Sequence, residues 1–142
     1  MKPFLLCLTA ALLAAPLASA RFSERQLESR MATATKSGKL LAFVFYQGYA
    51  LPNCPTCVAD TNAKNKALKS AIPRTDVVVI EIDADDKGLE KLPSAVGGGG
   101  SAPRIVVTDA AATEVLAKLD GAPDRDQAAE FKKSVAEARN GG

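Results

Sequence analysis

The run Leu40-Leu41-Ala42-Phe43-Val44-Phe45-Tyr46, followed a short loop later by Cys54-Pro55-Thr56-Cys57, decides how this chain folds. The run is short, almost wholly apolar and rich in aromatics, which predicts a strand buried on both faces. Residues 47–53 form a loop punctuated by Gly48 and Pro52. Pro55 suits the first turn of a helix, where its missing N–H leaves nothing unpaired. The Ala- and Lys-rich sequence beyond it predicts a helix to about Ser70, stopped by Ile72-Pro73. Residues 77–82, Val-Val-Val-Ile-Glu-Ile, then read as a second buried, β-branched strand. Two such strands joined through a helix imply a right-handed βαβ unit with parallel strands.

The flanking sequence extends this unit on both sides. Ser23 and Gln26 have the spacing of a capping box, so a helix should run to about Thr35 with Phe22, Leu27 and Met31 facing inward. Ser37-Gly38 ends it, because glycine tolerates the left-handed exit conformation. After the second strand, residues 83–92 should hold a short helical turn and residues 93–103 a loop with four consecutive glycines at 97–100. Residues 104–108 read as a third strand. A turn at 109–112 and a return over 113–119 make a hairpin that Gly121 breaks. Asp124 and Gln127 repeat the capping pattern, and a last helix follows to about Arg139 with Ala128, Phe131 and Val135 on one face. The order α-β-α-β-(α)-β-β-α predicts one three-layer α/β domain, with no linker long enough to divide it.

The first twenty residues stand outside that domain. Lys2 gives a positive start, residues 4–17 are apolar apart from Thr9 and Pro16, and Ala18-Ser19-Ala20 supplies the small residues a signal peptidase reads. The apolar run is short for a membrane span, which needs about 20 residues. The expected division is therefore a signal peptide at 1–20 and a domain at 21–142, exported to the periplasm or the medium, with no membrane span after cleavage. Cleavage after Ala20 removes Cys7 and leaves Cys54 and Cys57 as the sole cysteines, in an oxidising compartment where they can form a disulfide.

Composition narrows the chemistry. The 142 residues include no His, so Ser-His-Asp and Cys-His catalysis, His-ligated metal or haem, and an imidazole switch are excluded. With 18 Lys+Arg against 16 Asp+Glu the formal charge is only +2, which argues against a nucleic-acid partner. Thiol and carboxylate chemistry remain. Cys54 stands at the start of the predicted helix, where free N–H groups and the helix dipole favour a thiolate, the nucleophile of disulfide exchange. Cys57, one turn inward and expected to be more buried, could then resolve the mixed disulfide. A purely structural bridge is the competing reading, but closing so short a loop restrains the unfolded chain little. Metal binding is a third: two thiolates could hold Cu(I), yet a structural zinc needs about four ligands.

This chain resembles the thioredoxin-like family over nearly all of residues 21–142. The resemblance is carried by the strand entering Cys54-Pro55-Thr56-Cys57 and its helix, by a following strand that ends at Asp83, by Ala102-Pro103 directly before the third strand, and by Gly121 ahead of a closing amphipathic helix. It implies a four-stranded mixed sheet flanked by helices, and exchange of disulfides with protein thiols or disulfides, served by a separate redox partner and needing no cofactor. It implies Cys54 as the attacking thiol and Cys57 as the resolving thiol of a Cys54–Cys57 disulfide. Pro103 becomes a cis-proline, with Ala102 beside it pairing with substrate backbone. Four departures stand out: Asn53 where the family usually has Trp, a longer loop at 47–53, no acid within 40–46, and no strand before the first helix. They fit either a specialised exported oxidoreductase or a thioredoxin-like binding or scaffold domain whose disulfide is structural or vestigial.

Other motifs have plainer readings. The glycines at 97–100 precede a strand and lack a following Lys-Ser/Thr, so a mobile loop beside the site is expected rather than a phosphate cradle. Asp83, Asp85, Asp86 and Glu90 lack the spacing of a calcium loop and read as a solvated helix start. Lys64, Lys66 and Lys69 read as the wet face of the second helix. Asp60 either raises the thiol pKa values or complements the first helical turn.

Overall fold

The computed structural model describes residues 22–83, 86, 88–97 and 101–142. The expected signal peptide and three of the four consecutive glycines lie outside the described residues.

Among the described residues three helices and four strands form in the expected order: α1 (Glu24–Ser37), β1 (Leu40–Phe45), α2 (Pro55–Ala71), β2 (Val77–Ile82), β3 (Arg104–Thr108), β4 (Val115–Asp120) and α3 (Arg125–Gly141). The sheet order is β2-β1-β3-β4. β1 runs parallel to β2, with Leu40 opposite Val77, and antiparallel to β3, with Phe45 opposite Arg104. β4 closes the sheet as the outer arm of the hairpin. This is the four-stranded mixed sheet flanked by helices that the resemblance implies, with no strand before α1 among the described residues.

The helix ends follow the local chemistry. Ser23 Oγ accepts from the Gln26 amide at 3.2 Å, and Gly38 exits α1 at φ 61°. The Asp124–Gln127 capping box is complete in both directions.

Strand alternation divides the core in two. Leu41, Phe43, Phe45, Ile80, Ile82 and Val106 pack on one face beneath α1, with Phe22, Leu27 and Met31. Ala42, Val44, Tyr46, Ile105 and Val107 pack on the other against Leu68, Ala71, Phe131 and Val135 of α2 and α3. β1 is the common spine, with Leu41, Ala42, Phe43 and Val44 fully buried. Truncating Phe43 to Ala would cost about 3–5 kcal/mol.

The short helical turn expected between β2 and β3 forms as a 3₁₀ turn, Leu89–Lys91. One residue of that segment departs from expectation. Asp86 is not solvated: it is buried, and its carboxylate accepts from the Phe22 amide and, at 2.9 Å, from the Gly88 amide. A short acidic side chain that takes backbone N–H groups in this way competes with helix formation. It also ties the start of the described chain to this loop. A side chain at position 88 would meet the Phe22 carbonyl oxygen at 2.5 Å, so the close approach requires glycine.

Candidate functional site

β1 delivers the chain to the C-terminal edge of the sheet, and the loop at 47–53 carries it to α2. Cys54 is the N-cap of α2 and Pro55 its first residue. Cys54 and Cys57 are joined as a disulfide, with Cα atoms 5.2 Å apart. Cys54 Sγ accepts from the Cys57 amide at 3.3 Å and lies 3.3 Å from Thr56 Oγ1. A disulfide sulfur carries no hydrogen, so the threonine hydroxyl is the donor. One sulfur therefore takes the place usually held by a capping Ser or Asp oxygen. A thiolate at Cys54 would face the same two donors, together with the positive end of a 17-residue helix.

Both cysteines are half-buried. No acid occupies the first turn of α2. Asp60 lies in the second turn instead, its carboxylate 2.7 Å from Lys64 Nζ.

The sheet register brings the Ala102-Pro103 pair to the same edge. Phe45, the last residue of β1, pairs with Arg104, the first of β3. The residue before Arg104 is thus carried to the end of β1 from which the cysteine loop departs. The Ala102–Pro103 bond is cis. Pro103 is buried, Ala102 half-buried, and the Pro103 carbonyl accepts from the Gly121 amide at 2.8 Å.

Two features escaped the sequence reading. Arg104 is buried at 4% exposure. Its guanidinium stacks on the Phe45 ring 4.1 Å from the centroid and donates to the Gly97 carbonyl at 3.0 Å, anchoring the start of the glycine segment, while Nε has no partner among the described residues. A strand arginine next to proline gives no signal of this. The other feature is the way the 47–53 loop is fastened to α2. The Gln47 amide donates to Asn65 Oδ1 and Asn65 Nδ2 donates to the Gln47 carbonyl, both at 2.9 Å. Tyr49 Oη bonds Asn62 Oδ1. Asn62 and Asn65 are three apart and so share a helix face, a spacing that could have been noticed.

At the end of β1, Tyr46 donates to Glu81 Oε1 at 2.9 Å and lies under Lys69 Nζ, 5.1 Å from its ring centroid. Burial first, and then Glu81, hold its phenol well above the usual range. Among the described residues no group of three or more Cys, Asp or Glu is placed to hold a metal ion. No described helix is long and apolar enough to cross a membrane.

No protein-family model matches the sequence, and no curated protein does. Among solved structures, a disulphide isomerase from Xylella fastidiosa Temecula1 is similar at 19% identity and a TM-score of 0.47, covering 90% of this chain and 94% of that one.

Proposed function

We propose that this chain is an exported thiol-disulfide oxidoreductase acting on protein thiols and disulfides. The observation that carries the reading is Cys54 at the N-cap of α2, its sulfur already accepting from the Cys57 amide. In the reduced state Cys54, as its thiolate, attacks a substrate disulfide. A mixed disulfide forms, and one substrate sulfur departs as thiolate. Cys57 then loses its proton to solvent and attacks Cys54 Sγ. This forms the Cys54–Cys57 bond and releases the second substrate thiolate, so the substrate disulfide is reduced and the dithiol oxidised. The same steps in reverse oxidise a substrate dithiol. Ala102 presents backbone to the substrate chain as an added strand would, with Pro103 fixing its position.

A Cys57→Ser variant tests this. Lacking the resolving thiol, it should accumulate mixed disulfides through Cys54 when incubated with cell-envelope extract, visible as reductant-sensitive high-mass bands. If none form, and the Cys54→Ser, Cys57→Ser double variant retains the cellular function, the domain is a scaffold with a structural bridge.

Export is supported by the charged start, the apolar run and Ala18-Ser19-Ala20. Intact mass of the protein recovered from periplasm or medium should correspond to a chain beginning at Arg21. A mass that retains residues 1–20 would refute cleavage and with it the division at residue 21.

A further inference from the structure

We propose that the cavity beside Cys57 is a side-chain pocket, taking a leucine-sized or aromatic residue that flanks the reacting cysteine of a polypeptide substrate. The proposal rests on the redox reading above and adds to it the kind of sequence the site prefers.

The cavity, of about 390 Å³, is walled by Tyr49, Leu51, Thr56, Cys57, Asp60 and Thr61, among others. Tyr49 and Leu51 are the exposed large hydrophobic residues of the described chain, at 51% and 61% exposure. A single exposed leucine is ordinary. Here two such residues stand two positions apart on one loop, and both wall the cavity that contains half of the disulfide.

The loop is also held in place. The paired Gln47–Asn65 bonds and the Tyr49–Asn62 bond fasten it to α2, and the Cys54 amide donates to the Leu51 carbonyl at 3.1 Å. A pocket formed before binding spares the cost of ordering it. Because the Tyr49 hydroxyl is engaged by Asn62, its ring is what remains for an occupant. The one acid in the wall, Asp60, is neutralised by Lys64 at 2.7 Å, so the pocket offers no unpaired charge to a charged side chain.

The occupant follows from the position. Cys57 and Thr56 form part of the wall, so whatever fills the cavity lies against the disulfide. A side chain next to the reacting cysteine is held there by its own backbone, at high effective concentration. Ala102 and Pro103 are not among the wall residues, so the pocket adds to strand-like pairing rather than repeating it.

The test measures exchange between the oxidised chain and two reduced peptides in excess, Gly-Leu-Cys-Leu-Gly and Gly-Ser-Cys-Ser-Gly. A peptide thiolate attacks one protein sulfur, the Cys54–Cys57 bond breaks, and the other protein sulfur leaves as thiolate. A second peptide thiolate attacks the peptide sulfur of the mixed disulfide, releasing a peptide disulfide and the protein dithiol. The leucine peptide should react about tenfold faster, and Leu51→Ser or Tyr49→Ser should cut that preference to about threefold or less. Both positions are exposed, so folding is retained. Equal rates with the two peptides would overturn the pocket while leaving the redox reading standing. A full preference in both variants would overturn it too. Absence of exchange with either peptide would overturn both.

Discussion

Cys54 Sγ has two donors within 3.3 Å, the Cys57 amide and the Thr56 hydroxyl. The amide is fixed by the helix, whereas the hydroxyl depends on one residue. Hydrogen bonds to a charged partner are the stronger kind, worth about 1.5–3 kcal/mol. Thr56→Val keeps the shape and removes the donor. In the reduced protein it should raise the Cys54 thiol pKa and slow iodoacetamide alkylation of Cys54 below neutral pH by about three- to tenfold, because the greater nucleophilicity of a higher-pKa thiolate offsets part of the loss in thiolate fraction. Because the reduced state is what loses stabilisation, the reduction potential should also move to a more negative value. An unchanged alkylation profile would mean that the helix terminus alone sets the thiolate. With no His in the chain, that terminus and this hydroxyl are the donors placed at the Cys54 sulfur.

Elements are held by contacts that differ in how far they reach along the chain, and the β3–β4 hairpin shows the local kind. Asp109 Oδ1 accepts from the Thr113 and Glu114 amides at 2.7 and 2.8 Å, and Oδ2 accepts from Thr113 Oγ1 at 2.7 Å. Partial burial would raise its pKa, but these donors and the Ala111 amide outweigh that and hold it below the ordinary 3.8. A depressed carboxyl contributes stability above its unfolded pKa and loses it as pH falls through the folded value. Asp109→Asn should therefore lower the urea midpoint near neutral pH, by about 0.5–1 kcal/mol because the group is largely solvated. Wild type and variant should converge below pH 3.8. Contacts of this short range were legible beforehand, as were the helix caps and the apolar strands, since each rests on residues a few positions apart. β2, β3 and the first residue of α2 fall where the residue pattern places them, and β1 ends one residue short of it. What the pattern missed depends on contacts between distant residues. Asp86 reads as solvated until Phe22, 64 positions away, donates to it. The 47–53 loop reads as unstructured until Asn65, 18 positions from Gln47, takes up its backbone. That clasp should matter to the pocket: Asn65→Ala, which removes no wall residue, should weaken the leucine-peptide preference by releasing the loop. Retention of the full preference would show that the loop holds itself.

Among the described residues no strand precedes α1, and β2 is an edge strand bonded to β1 alone. Its groove toward α1 is lined by Arg30, Arg74, Glu81 and Asp83, and charges of this kind on an edge discourage pairing with other chains. At the end of the sheet opposite the disulfide, a single side chain spans several elements. Arg139, in the last turn of α3, donates through Nε to the Gly38 carbonyl at 3.0 Å and through a terminal nitrogen to the Thr75 carbonyl at 3.2 Å. The same nitrogen meets Asp76 Oδ1 at 2.9 Å. One guanidinium thus joins the end of α3 to the exit of α1 and the entry to β2, positions 101 and 64 residues away. The ion pair by itself, half open to water, would add little. The two carbonyl bonds use the planar fork, which lysine cannot reproduce. Arg139→Ala should therefore destabilise the fold by about 1–3 kcal/mol, and Arg139→Lys should recover less than half of that in urea unfolding. Asp76→Asn, which removes the charge and leaves both carbonyls in place, should cost less than either. If Asp76→Asn proved as damaging as Arg139→Ala, the ion pair rather than the fork would be what holds α3 to the exit of α1 and the entry to β2.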